Sequence, residues 1–333
     1  MSPDNGRFIG IGVALVDHIF NKTEHISPFT SEETLSFIEA HKPDILRPGA
    51  PMPNTFTAIS HLSINRRLRL FHCVGSDDKG IFFRRETDPK IGLAQIHTTE
   101  PTGTWVGFYN EKSGLRFSMA SYAAALKVRV SPDDLDEEPN GIFITDISSC
   151  ENEAIHNQTD TILKRLDHDG GIFVLSLGGP RTPSLDHTKL DSIIDSFRYS
   201  PQIVFSNADE FRYFTREKDI ESSLFDCFPN ARLVVVTLGQ QGSIIRFEDR
   251  LIRIPAILVN NSIDELGAGD TYMGTMLGQL FNQPYESWNF NLVKHAARVA
   301  TFAASEVVQS MQSRLTTEMA QLTQEYARNL NLQ

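Results

Sequence analysis

The chain predicts an α/β fold built on a doubly wound, mostly parallel sheet, covered by helices on both faces and carrying a small β-rich lid. From Gly141 onward, short continuous apolar runs alternate with longer amphipathic stretches, and continuous apolar strands are expected where a sheet is buried on both faces. Strand and helix follow one another in turn, which favours parallel strands joined by crossovers. Between Gln95 and Tyr122 the pattern changes to short alternating runs broken by turns, the signature of antiparallel hairpins. A chain of 333 residues, 40% hydrophobic and 22% charged, suits one large domain with a small appendage. Residues 1–333 therefore read as a single domain, with the lid supplied by segments near 18–50 and 95–124.

Taken in order, Phe8–Val13 reads as a buried strand that brings Asp17 just past its carboxyl end, where ligands collect in open α/β sheets. A helix is expected at Ser31–Ala40. The stretch RPGAPMPNTFTAISHL from Arg47 to Leu62 is a loop broken by proline and glycine, passing into a helix near Asn54. Arg69–Val74 is a strand, followed by a turn and a helix at Ile81–Glu86. The later strands are Gly141–Thr145, Ile172–Leu177, Ile203–Ser206, Leu233–Leu238 and Ser243–Phe247, with helices at Glu151–Leu166, Leu185–Phe197 and Ala208–Phe214. Met273, Met276, Leu277 and Leu280 recur at helical spacing until Asn282, Gln283 and Pro284 end the helix. The last stretch of about 30 residues is helical in pattern and polar, either a terminal helix or a frayed tail.

Composition removes several classes of function. A formal net charge of −11 argues against a nucleic-acid backbone or an anionic membrane surface as the partner. The cysteines Cys73, Cys150 and Cys227 are widely spaced and form no C-x-x-C pair, so neither a disulfide framework nor a zinc site is suggested and a cytoplasmic setting is expected. The apolar run Phe8–Val16 lacks the features of a signal peptide, and no run has the roughly 20 apolar residues of a membrane helix. A Walker loop is absent, the Gly10-Ile-Gly12 stretch is an incomplete dinucleotide fingerprint, and neither H-E-x-x-H nor G-x-S-x-G occurs.

Three motifs remain. In Asp264-Glu-Leu-Gly267-Ala268-Gly269-Asp270 a glycine turn runs into the apolar helix, and a helix N-terminus attracts anions through its unpaired amides and dipole. Asp270 then stands beside an anion site, where a carboxylate is useful for a proton or a metal; the alternative is a tight turn with a capping aspartate. Asn207-Ala-Asp-Glu210 closes a strand and opens a helix, placing an amide and a carboxylate where they either hold a hydrated Mg²⁺ or form a capping box. Thr237-Leu-Gly239-Gln-Gln-Gly242 either cradles a phosphate or turns a hairpin.

An early strand ending in Asp, a Gly…Asn loop, N-x-x-E, T-x-G-x-x-G and D-x-x-G-A-G-D, in that order from about Gly10 to Arg314, resembles the PfkB/ribokinase family of carbohydrate and nucleoside kinases. The resemblance implies a ribokinase-like fold and transfer of the γ-phosphate of ATP to a hydroxyl of a small sugar or nucleoside. Under it Asp270 is the general base and the amides of Gly267, Ala268 and Gly269 are the anion hole. Asn207 and Glu210 order Mg²⁺ through water, and Asn207, Thr237, Gly239 and Gly242 contact the nucleotide, whose base lies against a helix around His295–Ala304. Asp17, Gly49 and Asn54 hold the acceptor's hydroxyls, and Asp264 lies where some members bind a monovalent cation such as K⁺.

The chain departs from the pattern at Pro48-Gly49-Ala50, where the family usually has paired glycines. Lys112–Arg116, Met119, Tyr122 and Phe173–Pro180 look like the adenosine-kinase branch. A sugar kinase is thus the general reading, a nucleoside kinase its alternative, and a catalytically silent kinase-fold binding protein the rival of another class. Lid strands pairing between subunits would give a homodimer.

Overall fold

The computed structural model describes residues 7–21, 36–37, 40–63, 66–110, 114–130, 141–178, 187–197, 200–216 and 219–330. Its main layer is a nine-stranded sheet in the order β13-β12-β11-β10-β9-β8-β1-β4-β5. The strands are β1 (Phe8–Ile11), β4 (Leu68–Gly75), β5 (Ile91–Thr98), β8 (Ile142–Asp146), β9 (Ile172–Ser176), β10 (Ile203–Asn207), β11 (Leu233–Thr237), β12 (Ser243–Phe247) and β13 (Arg250–Ile254). Every pairing from β11 through to β5 is parallel, and β12 and β13 add an antiparallel hairpin at one edge.

The apolar runs are continuous because successive residues feed two different cores. Phe8, Ile142, Ile144, Val174, Phe205 and Val235 pack on one face. Ile9, Phe143, Phe173, Val204, Val234 and Val236 pack on the other. Helices α1 (Pro51–Leu62), α8 (Ala268–Leu280) and α9 (Phe290–Val307) cover the first face through Phe56, Met276 and Val293. The second is covered by α4 (Glu153–Asp169), α6 (Ala208–Thr215) and α7 (Ile220–Asp226) through Leu163, Phe211 and Leu224. The remaining α-helices among the described residues are α2 (Asp78–Arg85), α3 (Ile147–Cys150), α5 (His187–Ser196) and α10 (Thr317–Leu330).

A separate four-stranded sheet has the order β3-β2-β6-β7, from β2 (Leu15–Asn21), β3 (Ile45–Gly49), β6 (Gly103–Asn110) and β7 (Gly114–Ser121). It begins only at Gly103 on its second side, because the preceding segment through Thr98 pairs with β4 along the edge of the large sheet. The part of this edge strand from Gln95 to Thr98, which was read with the lid, therefore belongs to the large sheet. The sequence reading also lacks β13, whose Arg-Leu-Ile-Arg-Ile run carries two exposed arginines. The helix expected at 31–40 lies largely outside the described residues, and so do parts of the 112–116 and 173–180 stretches.

The helix expected near Asn54 starts at Pro51, with a proline in its first turn, where the missing N–H costs no hydrogen bond. It packs tightly on α8. A Cβ at Gly274 would overlap the Thr55 carbonyl oxygen and sit 2.8 Å from the Ala58 Cβ, so close approach of the two helices requires a glycine there. Gly274→Ala is expected to lower unfolding stability by about 1–3 kcal/mol, the usual cost of overpacking, measurable as a reduced midpoint in urea; an unchanged midpoint would show that α1 and α8 can part freely.

Candidate active site

The glycine turn is positioned by its backbone. Gly267 is the N-cap of α8 with φ of 77°, and the helix has no side-chain cap. A Cβ at Gly267 would overlap the Ser313 carbonyl, so packing and dihedral both demand glycine. Gly269 differs: a Cβ there would meet no protein atom within 4 Å, and its position is exposed. Packing gives no reason for that glycine, whereas a ligand approaching the first-turn amides does.

Asp270 lies in this first turn, where a negative side chain is favoured by the dipole. Its Oδ2 accepts a hydrogen bond from Asn54 Nδ2 at 3.0 Å, and its carbonyl accepts from the Thr55 hydroxyl at 3.4 Å. Asn54 is buried and its Oδ1 has no hydrogen-bond partner, an unsatisfied acceptor beside the carboxylate. Asp270 is not the N-cap, a position held by Gly267, and its carboxylate bonds a residue of another helix, Asn54.

A second cluster gathers Asp17, Gly49 and Asp264. Asp17 on β2 faces Arg47 on β3 in antiparallel register, and a Cβ on Gly49 would run into the Asp17 carboxylate. Arg47 donates from Nε to Asp17 Oδ2 at 3.2 Å and from Nη2 to Asp264 Oδ2 at 3.0 Å, and it also donates to the Met311 carbonyl. The second oxygen of Asp264, Oδ1, accepts from the Tyr109 hydroxyl at 2.9 Å and the Leu266 amide at 3.0 Å. Burial raises the Asp17 carboxyl to about 6, opposed by Arg47, and desolvation with the neighbouring Asp264 pushes the Tyr109 phenol up. Buried Arg314 lies within the field of Asp17, and burial lowers it to about 10.

A monovalent cation at Asp264 does not fit this arrangement. Both carboxylate oxygens already accept hydrogen bonds, and a guanidinium occupies the space between Asp264 and Asp17.

Asn207 ends β10 and Thr237 ends β11 directly beside it. The Asn207 Oδ1 accepts from the Glu210 amide at 2.8 Å while Glu210 Oε2 accepts from the Asn207 amide at 3.0 Å. This is a full capping box. The exposed Asn207 and part-exposed Glu210 fit a hydrated cation held through water better than direct metal ligation. Among the described residues no group of three or more His, Cys, Asp and Glu side chains is placed to hold a metal.

Thr237–Gly242 turns the hairpin between β11 and β12, with Gly242 at φ 92° against the Ile254 carbonyl. Gly239, at φ 57°, has open space where its Cβ would be. The fold has the hairpin: Gly242 serves the turn, and Gly239 leaves open space above it. Ala50, where a second glycine is expected, has φ 85° and ψ 152°. That region is essentially glycine-only and costs other residues about 1–3 kcal/mol. The backbone keeps the glycine conformation under an alanine side chain.

Sequence reasoning missed Arg47, Tyr109, Thr55 and Arg314. Arg47 was visible as a lone cation opening a proline- and glycine-rich loop, but nothing local indicates its partners.

A sequence model described as pfkB family carbohydrate kinase matches residues 47–319. The chain is 25% identical over 275 residues to a nucleoside kinase from Methanocaldococcus jannaschii, covering 80% of this chain and 81% of that protein. Its fold matches adenosine kinase from Sinorhizobium meliloti with a TM-score of 0.80 at 16% identity, covering 97% of this chain and 100% of the other. It also matches a probable sugar kinase from Rhizobium etli with a TM-score of 0.80 at 17% identity, over 98% and 99% of the two chains. Among the described residues no helix is long and apolar enough to cross a membrane.

Two measurements test the strain and burial described above. Ala50→Gly is expected to raise stability by about 1 kcal/mol through relief of the positive-φ strain, read as a higher urea midpoint. On the opposite face of β2 from Asp17, His18 is buried with neither ring nitrogen hydrogen-bonded. Burial, with Lys79 nearby, lowers its pKa from 6.5 to about 4. The unfolded state therefore takes up this proton first as pH falls, and the His18 contribution to stability is lost between pH 6.5 and about 4. Asp17, raised to about 6, acts in the opposite direction, so the test is a difference: His18→Leu should lose less stability than wild type over that window. Parallel stability curves for the two proteins would contradict the assignment.

Proposed function

We propose that this chain, which belongs to the pfkB family of carbohydrate kinases, transfers the γ-phosphate of ATP to a hydroxyl of a small sugar, with Asp270 as the general base. Membership makes it a phosphotransferase with an alcohol group as acceptor, of the sugar and nucleoside kinase type. The observation that carries the detailed reading is the pairing of Asp270 with Asn54 at the uncapped, open N-terminus of α8.

In this reading the amides of Gly267, Ala268 and Gly269 meet the charge on the transferred phosphoryl group, aided by the helix dipole. Asn54 orients the Asp270 carboxylate, whose worth as a base is positional: a carboxylate with a reference pKa of about 3.9 takes the acceptor proton only as the loose transition state forms. The unsatisfied Asn54 Oδ1 is suited to accept from an acceptor hydroxyl, alongside Asp17 and Gly49. Thr237, Gly239 and Asn207 line the nucleotide side, with the base against α9. Asn207 and Glu210 would hold Mg²⁺ through its waters; when bound, that ion shields the charge of the phosphates. The small sheet acts as a lid that excludes water from the transfer.

A nucleoside acceptor is the second reading, favoured by the similarity to the Methanocaldococcus jannaschii nucleoside kinase. Release of ADP from ATP–Mg²⁺, measured over a panel of sugars and nucleosides, separates them: stimulation by adenosine but not by ribose or fructose selects the nucleoside kinase. No stimulation by any acceptor would favour a catalytically silent binding protein. Asp270→Asn should keep ATP binding and lose at least about a hundredfold in turnover, the usual worth of a positioned base. Turnover within about threefold of wild type would remove Asp270 from the mechanism, because a general base contributes far more than that.

A further inference from the structure

Oxygens from three distant parts of the chain converge on one buried guanidinium. Arg47 on β3 is 4% exposed in its side chain and bonds Asp17 Oδ2 from β2 and Asp264 Oδ2 from the start of the glycine turn. Its third partner is the carbonyl of Met311, in the loop after α9. Two carboxylates and a backbone carbonyl are the ligand set of a hard cation. Here the cation is part of the chain.

The two loops that Arg47 bridges are those that set the anion hole. Ile263 and Asp264 donate their amides to the Val308 carbonyl at 2.7 and 3.3 Å. Gly267 packs so closely on Ser313 that no Cβ fits between them. Any movement of the 308–314 loop relative to residues 263–264 is therefore passed to the N-cap of α8. Arg47 ties both to the small sheet, two residues before Gly49.

We infer that the Arg47 guanidinium is a built-in activating cation: it occupies the place of a monovalent ion at Asp264, makes phosphoryl transfer independent of K⁺, and positions the anion-hole loops. This rests on the kinase reading for its activity arm, though not for its binding arm. Arg47 is a positioning residue, since its contacts are with protein groups. Removing the side chain leaves Asp17 and Asp264 facing an emptied space lined by oxygens, and a soluble cation gains a site there.

The test compares full-length wild type, Arg47→Ala and Arg47→Lys in potassium chloride and in tetramethylammonium chloride at equal ionic strength. The first readout is the thermal unfolding midpoint, which needs no acceptor. Wild type should unfold at the same temperature in both salts. Arg47→Ala should be less stable and regain part of the loss in potassium alone, because a ligand that binds only the folded state stabilises it. The second readout is the initial rate with ATP–Mg²⁺ and whichever acceptor is active. Wild type should be unaffected by K⁺, and Arg47→Ala should lose about a hundredfold in tetramethylammonium, the scale of a displaced positioning element. In K⁺ that variant should recover at least about tenfold, the recovery expected if the emptied site binds the ion and restores the loop positions.

Arg47→Lys keeps the charge without the planar fork, so it should be slower than wild type yet remain indifferent to K⁺. If Arg47→Ala fails to fold in either salt, the wild-type and lysine proteins still decide through their salt response. A wild-type rate or midpoint that rises with K⁺ would overturn the inference, as would a folded Arg47→Ala protein equally insensitive to both salts in both readouts. Failure of every acceptor would count against the kinase reading, while the unfolding comparison would still decide the cation site.

Discussion

Two buried carboxylates, Asp17 and Asp264, share the guanidinium of Arg47. Burying an unpaired charge costs several kcal/mol, and breaking a buried pair commonly costs about 3–5 kcal/mol. The structure around Arg47 is therefore constrained to keep all three groups together. Even with Arg47 and Arg314 nearby, burial of Asp17 outweighs their attraction, in keeping with its raised pKa. The Tyr109 hydroxyl and the Leu266 amide complete the set around Asp264. In this way the small sheet, the glycine turn and the loop following α9 meet at one electrostatic knot, and none can be placed independently of the others.

A second constraint comes from packing. The close contact of α1 with α8 through Gly274 puts Asn54 within hydrogen-bonding reach of Asp270. The start of α1 is set in turn by the strained backbone of Ala50 and the proline that follows it. Asn54 and Asp270 are thus coupled by a helix interface whose width is set by a missing side chain. Strain of this sort persists where the surroundings over-determine a conformation. Here Gly49 is pressed on Asp17 on one side and α1 on α8 on the other.

Much of the scaffold was legible in the sequence for local reasons. Strands buried on both faces must be apolar throughout, so Ile203–Asn207 and Leu233–Thr237 could be read directly. Edge strands carry a weaker signal, which is why the end of the Ile91–Thr98 strand, from Gln95, was grouped with the lid and Arg250–Ile254 was missed. The glycine turn was recognisable from its residues, and the positive φ at Gly267 and Gly242 accords with them. Asn207 and Glu210 left two uses open in the sequence; the fold realises the capping box and keeps both groups accessible at the end of the sheet. At position 50 the sequence departs from the paired glycines, yet the backbone retains a conformation suited to glycine at the N-cap of α1.

What the sequence determined by itself is what short-range physics encodes: periodicity, turn dihedrals, helix ends and the order of the motifs. That was enough for the fold and for Asp270 in the first turn of a helix that opens on a glycine. Tertiary structure alone decided which charges neutralise one another. Arg47 finds Asp264 across 217 positions and Met311 across 264, and Tyr109 reaches Asp264 across 155. No periodicity or spacing specifies such pairs, since they follow from where the small sheet lands on the large one. The pairing of Asp264 with a guanidinium is of that kind: a motif states which oxygens are present, and only the assembled chain brings Arg47 to them.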